Sequence, residues 1–155
     1  MREEWVKCYC SDRHLVSNKG RVKKLAYITD YGRRYKEGFS KVSKSSGYDR
    51  VSILDKSIRV HQLVYFSFNG GNPSDTDLVV DHINGDKLDN RLANLELVTI
   101  KENLNRARKK RKEMMREILL EMYEKLWNAD KDKWAWNVIL KDTLEKIETN
   151  NDTNQ

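Results

Sequence analysis

The chain has 155 residues, 38% hydrophobic and 35% charged, with a formal net charge of +6. That is room for one domain, or a small domain with an appendage, around a modest core. Its apolar runs, such as Val138-Ile139-Leu140, fall far short of the roughly 20 residues a membrane span requires. No apolar signal-like stretch follows Met1, so the expected location is the cytoplasm, with no membrane partner.

The charge is uneven. Residues 1–110 hold 22 Lys/Arg and 14 Asp/Glu, a net +8, whereas residues 111–155 carry a net −2. A polyanion is the natural partner for such a basic N-terminal portion, and nucleic acid is the commonest. The two cysteines, Cys8 and Cys10, are too close for a useful staple. With His14 they do not make a zinc finger, which needs about four ligands; they read as core-strand residues.

Residues 5–60 read as short strands and turns. Leu15-Val16-Ser17, Asn18-Lys19-Gly20 and Arg21-Val22 form a strand–turn–strand signal, and Val51, Ile53, Ile58 and Val60 alternate with polar neighbours as strands do. Residues 61–68 predict a short buried helix containing His61, ended by Asn69-Gly70-Gly71-Asn72-Pro73. Residues 78–82 form an apolar strand that runs into Asp81 and His82. The stretch 83–91 is too polar for a core. Residues 94–98 alternate as a returning strand, and Thr99-Ile100-Lys101-Glu102 is a capping box that starts a helix near Ile100. The helix continues to about residue 127, with Met115, Leu119, Met122 and Leu126 on one face. After Asn128-Ala129-Asp130, a second helix carries Trp136, Ile139, Leu140 and Ile147. The result is a helical hairpin suited to packing or to forming a homodimer, followed by a frayed polar tail from Thr149 to Gln155.

Asp81, His82, Asn94 and Asn103 mark where the strand–loop–strand–helix unit turns and restarts. Phosphodiester hydrolysis needs a base for the attacking water, and an imidazole near its usual pKa of about 6.5 suits that role. It also needs charge stabilisation on the phosphate and the leaving 3′-oxygen, which a hard divalent cation supplies. Magnesium asks for only one or two protein oxygens, which Asp81 and Asn103 would provide. A hydrophobic staple would place an apolar residue at position 103, against Val98; the chain has an amide there, a local conflict of the kind found at functional sites. Successive strand side chains face opposite ways, so a site shared by Asp81 and His82 requires the strand to bend or end at the pair. Asn94, able to donate and accept, would hold the loop. From the residues alone, this reading stops at a metal-assisted site on a basic protein.

Residues 80–95, Val-Asp-His-Ile-Asn-Gly-Asp-Lys-Leu-Asp-Asn-Arg-Leu-Ala-Asn-Leu, resemble the HNH motif of phage intron-encoded and free-standing homing endonucleases. The likeness extends through Leu97-Val98-Thr99 to Asn103 and upstream to Val60-His61-Gln62-Leu63-Val64. Trp5 with residues 16–22 resembles the small module that often precedes the HNH unit. The resemblance implies an α+β fold: a ββα-metal nuclease unit (61–110), a small β-rich DNA-binding module before it (1–60) and a helical C-terminal extension after it (111–155). It casts His82 as general base, Asn94 as the loop-fixing asparagine, and Asp81 and Asn103 as ligands of Mg2+ or Mn2+. The motif's final histidine is here Asn103. Double-stranded DNA is the implied substrate, nicked or cut through. No Cys-Xaa-Xaa-Cys pairs flank the motif, which argues against a zinc-stabilised variety. Relatives often carry a DNA-reading helix-turn-helix at the C-terminus; the slightly acidic residues 111–155 depart from that pattern. DNA contacts are expected from Arg21, Lys23 and Lys24 on an alternating strand, from Arg33, Arg34, Lys41 and Lys44, and from Arg106 and Arg108 on the helix. The alternatives are a DNA-binding protein with a degenerate, inactive nuclease site and, on residues 111–155 alone, a helical interaction protein.

Overall fold

The computed structural model describes residues 2–129 and 133–149. Strands β1 (Trp5–Cys8), β2 (Ser11–Ser17), β3 (Val22–Lys24), β4 (Tyr27–Ile28), β5 (Arg34–Tyr35), β6 (Gly38–Phe39), β7 (Val42–Ser45), β8 (Tyr48–Ile53) and β9 (Lys56–Arg59) precede helix α1 (Val60–Asn69). Strands β10 (Val79–His82) and β11 (Leu95–Val98) and helices α2 (Ile100–Ala129) and α3 (Lys133–Thr149) follow. This is the mixed α+β arrangement expected, with several small antiparallel sheets: β1-β2-β3-β6, β7-β8-β9, β4-β5 and β10-β11. The chain divides into two compact units, residues 1–103 and 104–155.

Tight turns explain why the first unit is so finely divided. Ser46-Gly47 and Leu54-Asp55 both have positive φ at two consecutive positions, the backbone of two-residue hairpin turns matched to strand twist. Leu54 is an unfavourable residue there and is 67% exposed. The core gathers Cys8, Val16, Val22, Val51, Ile53, Val60, Leu63, Val64, Phe66, Val80 and Leu95 into one cluster. Residues on both sides of position 60 thus share a single core, with α1 packed against β1, β2, β8, β9, β10 and β11. Val60, read as a strand residue from its alternation, instead opens α1. The reason is that Arg59 stays extended and the apolar spacing of Val60, Leu63 and Val64 is helical, putting all three in the core.

Cys8 lies in β1 as expected; Cys10 sits in the turn before β2, its Sγ 3.2 Å from that of Cys8. The β2–β3 turn presses on the later segment. Gly20 has φ +82°, and a Cβ there would stand 2.9 Å from Asn90 Cβ and 3.0 Å from its carbonyl oxygen. The Leu92 N–H donates to Asn18 O at 3.0 Å beside this contact.

In the second unit, α2 and α3 run antiparallel. Arg116 donates to Glu148 Oε1 at 2.7 Å, and Tyr123 OH to Asn137 Oδ1. Leu119, Leu140 and Ile147 are half-buried, whereas Met115, Met122 and Ile139 stay exposed. The side chains of Leu126 and Trp136, the turn at Asp130 and the tail beyond Thr149 lie outside the described residues. Among the described residues, no helix is long and apolar enough to cross a membrane.

Gly20→Ala tests the turn contact. The left-handed backbone and the clash with Asn90 should together cost about 1–3 kcal/mol, read as a lower urea midpoint with unchanged m.

Candidate functional site

Strands β10 and β11 pair in regular register, Asp81 opposite Glu96 and His82 opposite Leu95. Burial alternates along β10: Val80 and His82 are buried, Val79 and Asp81 half-buried. The strand does not bend within the Asp81–His82 pair; it ends immediately after it. The alternation of faces thus stops at this pair, the condition for both side chains to serve one site. The Asp81 carboxylate accepts from the His82 N–H at 2.8 Å.

The loop that follows has few apolar side chains to bury, so hydrogen bonds shape it. Gly85, at φ +71°, donates its N–H to His82 O. Asn84 Oδ1 accepts from the Asp86 N–H at 2.8 Å, and Asp86 Oδ1 from the Leu88 N–H at 3.0 Å, successive turns in which a side chain stands in for the backbone. Asn94, buried at the foot of β11, ties the two ends together. Its Oδ1 accepts from the Asn84 N–H, and its Nδ2 donates to Asn84 Oδ1 and to Asp89 O at 2.8 Å. Arg91 grips Asp89 with two N–H groups, at 2.7 and 2.6 Å. This fork holds the Asp89 carboxyl down at about 2.

His82 is 5% exposed. Its Nε2 lies 3.3 Å from Asn90 Oδ1. Its ring meets the edge of His61 at 4.9 Å and an angle of 77°, and Tyr48 stands 6.3 Å away. His61, on α1, is 2% exposed, and its Nδ1 has no partner. Burial first, then the charges of His82, Arg59 and Arg50, push His61 down to about 3. Its placement inside α1 was legible in the sequence; its contact with His82 was not, because nothing in local spacing links residues 21 apart.

Asn103 is half-buried on the first turn of α2, its N–H donating to Thr99 O at 3.0 Å. The capping box is formed as read: the Glu102 carboxylate accepts from the Thr99 N–H and hydroxyl, and Thr99 Oγ1 from the Glu102 N–H.

Residues 59–105 match the family model for HNH endonucleases. The chain is 38% identical to an uncharacterized HNH endonuclease of Acanthamoeba polyphaga mimivirus, over 62% of this chain and 23% of that protein. The resemblance to HNH endonucleases is borne out. A solved structure showing DNA binding and cleavage by the HNH homing endonuclease I-HmuI is 31% identical, with a TM-score of 0.46, over 71% of this chain and 59% of that one. The chain thus spans about a quarter of its viral relative's length.

Within the HNH segment, Asp81 and Asn103 offer one carboxylate and one amide oxygen. Among the described residues no three His, Cys, Asp or Glu side chains gather into a ready-made cage. Such a donor set does not suit zinc's closed four-ligand site. It does fit a hard cation that keeps water and phosphate in most of its shell.

The basic residues fall into two groups. Arg21, just ahead of β3, is forked onto Glu3, and Lys23 bonds Glu37 at 3.1 Å, so both charges are already answered. Both also lie over aromatic rings, Arg21 at 5.1 Å from Phe39 and Lys23 at 4.9 Å from Trp5, whereas Lys24 and Arg33 lie over tyrosines: Lys24 at 4.7 Å from Tyr27 and 4.6 Å from Tyr35, Arg33 at 5.2 Å from Tyr35. The two tyrosines stack at 4.6 Å. Arg13, not singled out from the sequence, covers Tyr27 at 4.5 Å. An open groove of about 520 Å³ runs past Arg13, Lys24, Lys36, Lys41, Tyr27 and Phe39. Arg34, Lys41 and Lys44 are exposed, as are Arg106 and Arg108 on α2 in the second unit.

The depressed His61 has a pH consequence. In the unfolded chain it takes a proton near the ordinary value of 6.5, in the fold only near 3. Between these values the unfolded state binds a proton the folded state lacks, so stability falls as pH is lowered through that window. The slope contributed approaches about 1.4 kcal/mol per pH unit at most. His61→Phe should flatten urea midpoints over the window relative to wild type.

Proposed function

We propose that this chain is a DNA endonuclease of the HNH type, hydrolysing phosphodiester bonds with His82 as general base and a divalent cation held by Asp81 and Asn103. The observation that carries the reading is the placing of His82: a buried imidazole at a strand tip, next to Asp81, over a loop that Asn94 braces, inside the segment that matches the HNH family. A base held this firmly needs no reordering when substrate arrives, which is where positioned catalytic groups gain their advantage.

In this reading His82 takes a proton from the attacking water, the oxygen bonds to phosphorus and the P–O3′ bond breaks. The cation, magnesium or manganese, supplies Lewis-acid stabilisation of the phosphate charge when bound. Asp81 and Asn103 orient it; Asn94 keeps the loop in shape. DNA is held by the aromatic-backed cations Arg13, Lys24 and Arg33, by Arg34, Lys41 and Lys44, and by Arg106 and Arg108. Arg21 and Lys23 contribute less, since Glu3 and Glu37 already neutralise them. Phosphate contacts of this kind give affinity without sequence. The homing role, and a homodimer through α2 and α3 with their exposed Met115, Met122 and Ile139, are further parts of the proposal.

The test is nicking of a supercoiled plasmid that carries the DNA flanking this gene. With magnesium or manganese, relaxed or linear product is expected, abolished by chelator and reduced at least about 100-fold by His82→Ala, while DNA binding persists. Tight, salt-sensitive binding without product would leave a DNA-binding protein with an inactive site.

A second measurement addresses the grip. Lys24→Ala with Arg33→Ala should lower the slope of log K against log salt by about 2, near 0.9 per lost phosphate contact. Arg21→Ala should change it by less than half a unit on the same scale.

A further inference from the structure

Asn90 is buried, 5% exposed, in the loop between β10 and β11. Its amide has two N–H groups and both are taken: Nδ2 donates to Asp49 Oδ2 at 3.1 Å and to Leu88 O at 3.2 Å. Turning the amide over would set its oxygen against a carboxylate and a carbonyl, three acceptors with no proton between them. The amide orientation is therefore fixed, and the atom facing His82 Nε2 at 3.3 Å is the oxygen Oδ1. A carbonyl oxygen only accepts. His82 Nε2 must then carry the hydrogen, which leaves the lone pair of the neutral ring on Nδ1.

Asp49 comes from β8, 41 residues earlier, where it pairs with Lys44 across the β7–β8 ladder. Its Oδ2 holds Asn90, and its Oδ1 is buried without a partner. Gly20 presses on the Asn90 backbone from the β2–β3 turn. The N-terminal module thus reaches the base by a carboxylate–amide–imidazole chain and by a steric stop. At 3.3 Å the last link is long, so its value lies in direction rather than strength.

We propose that Asp49 and Asn90 are positioning residues that select the Nε2–H tautomer of His82 and aim its Nδ1 at the attacking water. The catalytic part of this rests on the nuclease reading above; the tautomer does not. The same two residues could serve merely to shape the loop, and the experiment separates the two roles.

The tautomer is read from the ring nitrogens of the full-length protein, 15N-labelled, by long-range 1H–15N correlation at about pH 8, above the ordinary imidazole range. The signals of His82 are those missing from His82→Ala. Wild type should show the Nε2–H form alone. Asn90→Ala should give a mixture of tautomers. It should also slow single-turnover cleavage of bound plasmid by about 10–100-fold, with the DNA dissociation constant within about twofold of wild type. Asp49→Ala frees the amide to turn and should do the same. Asp49→Asn, which still offers an acceptor, should keep the tautomer and most of the rate, and serves if Asn90→Ala fails to fold.

An Nδ1–H form in wild type, or an unchanged Nε2–H form in both alanine variants, would overturn the proposal. So would a loss of affinity that accounts for the whole loss of rate. If wild type cleaves no DNA while the tautomer still becomes mixed in Asn90→Ala, the nuclease reading fails and the tautomer assignment stands.

Discussion

A polar loop that cannot bury itself must be held by hydrogen bonds, and in this protein that duty falls on Asn94. Its amide closes the segment between His82 and Leu95 by bonding Asn84 twice and the Asp89 carbonyl once. With those bonds in place, Asp89 is set to receive Arg91, Asn90 turns inward, and the imidazole at the tip of β10 has a fixed wall to lean on. A buried amide that meets three partners is also expensive to lose, since each stranded donor or acceptor costs about 1–3 kcal/mol. The loop and the site it borders stand or fall together.

The parts of this arrangement that the sequence disclosed are local ones. The capping box at Thr99 is a four-residue pattern, the alternation of β11 needs five residues, and the buried helix around His61 needs eight. Asn94 could be assigned to the loop because its chemistry and its place at a strand foot coincide. What could not be read depends on partners distant in sequence. Asp49 and Asn90, His61 and His82, and Gly20 and Asn90 meet only after the sheets are assembled. Two further differences have simple causes. Val60 follows an alternating run and looks like its continuation, yet the core accepts it as the first residue of a helix. Arg21 and Lys23 count as positive charge in any tally of composition, but Glu3 and Glu37 fold back onto them.

The structure also qualifies what a basic stretch means. Lys24, Arg33 and Arg13 lie on tyrosine faces, where the ring quadrupole favours a cation. Their head groups are placed before any ligand arrives. Lys44 and Lys41 have no such backing. Charge of equal sign is thus held in two ways, and the aromatic-backed kind occurs both in the β-rich module and in the loop after β10, where Lys87 lies 4.8 Å over the Tyr48 ring.

The single core has a consequence for how such a chain can vary. Val16 of β2, Val22 of β3, and Val51 and Ile53 of β8 share one core with α1 and with Val80 and Leu95 of the β10–β11 hairpin. Exchange of the first sixty residues for those of a distant cousin would therefore disturb packing under the hairpin, even if every residue of the motif were kept. Shuffling at that boundary is unlike swapping beads on a string: halves joined there need matched cores to pack.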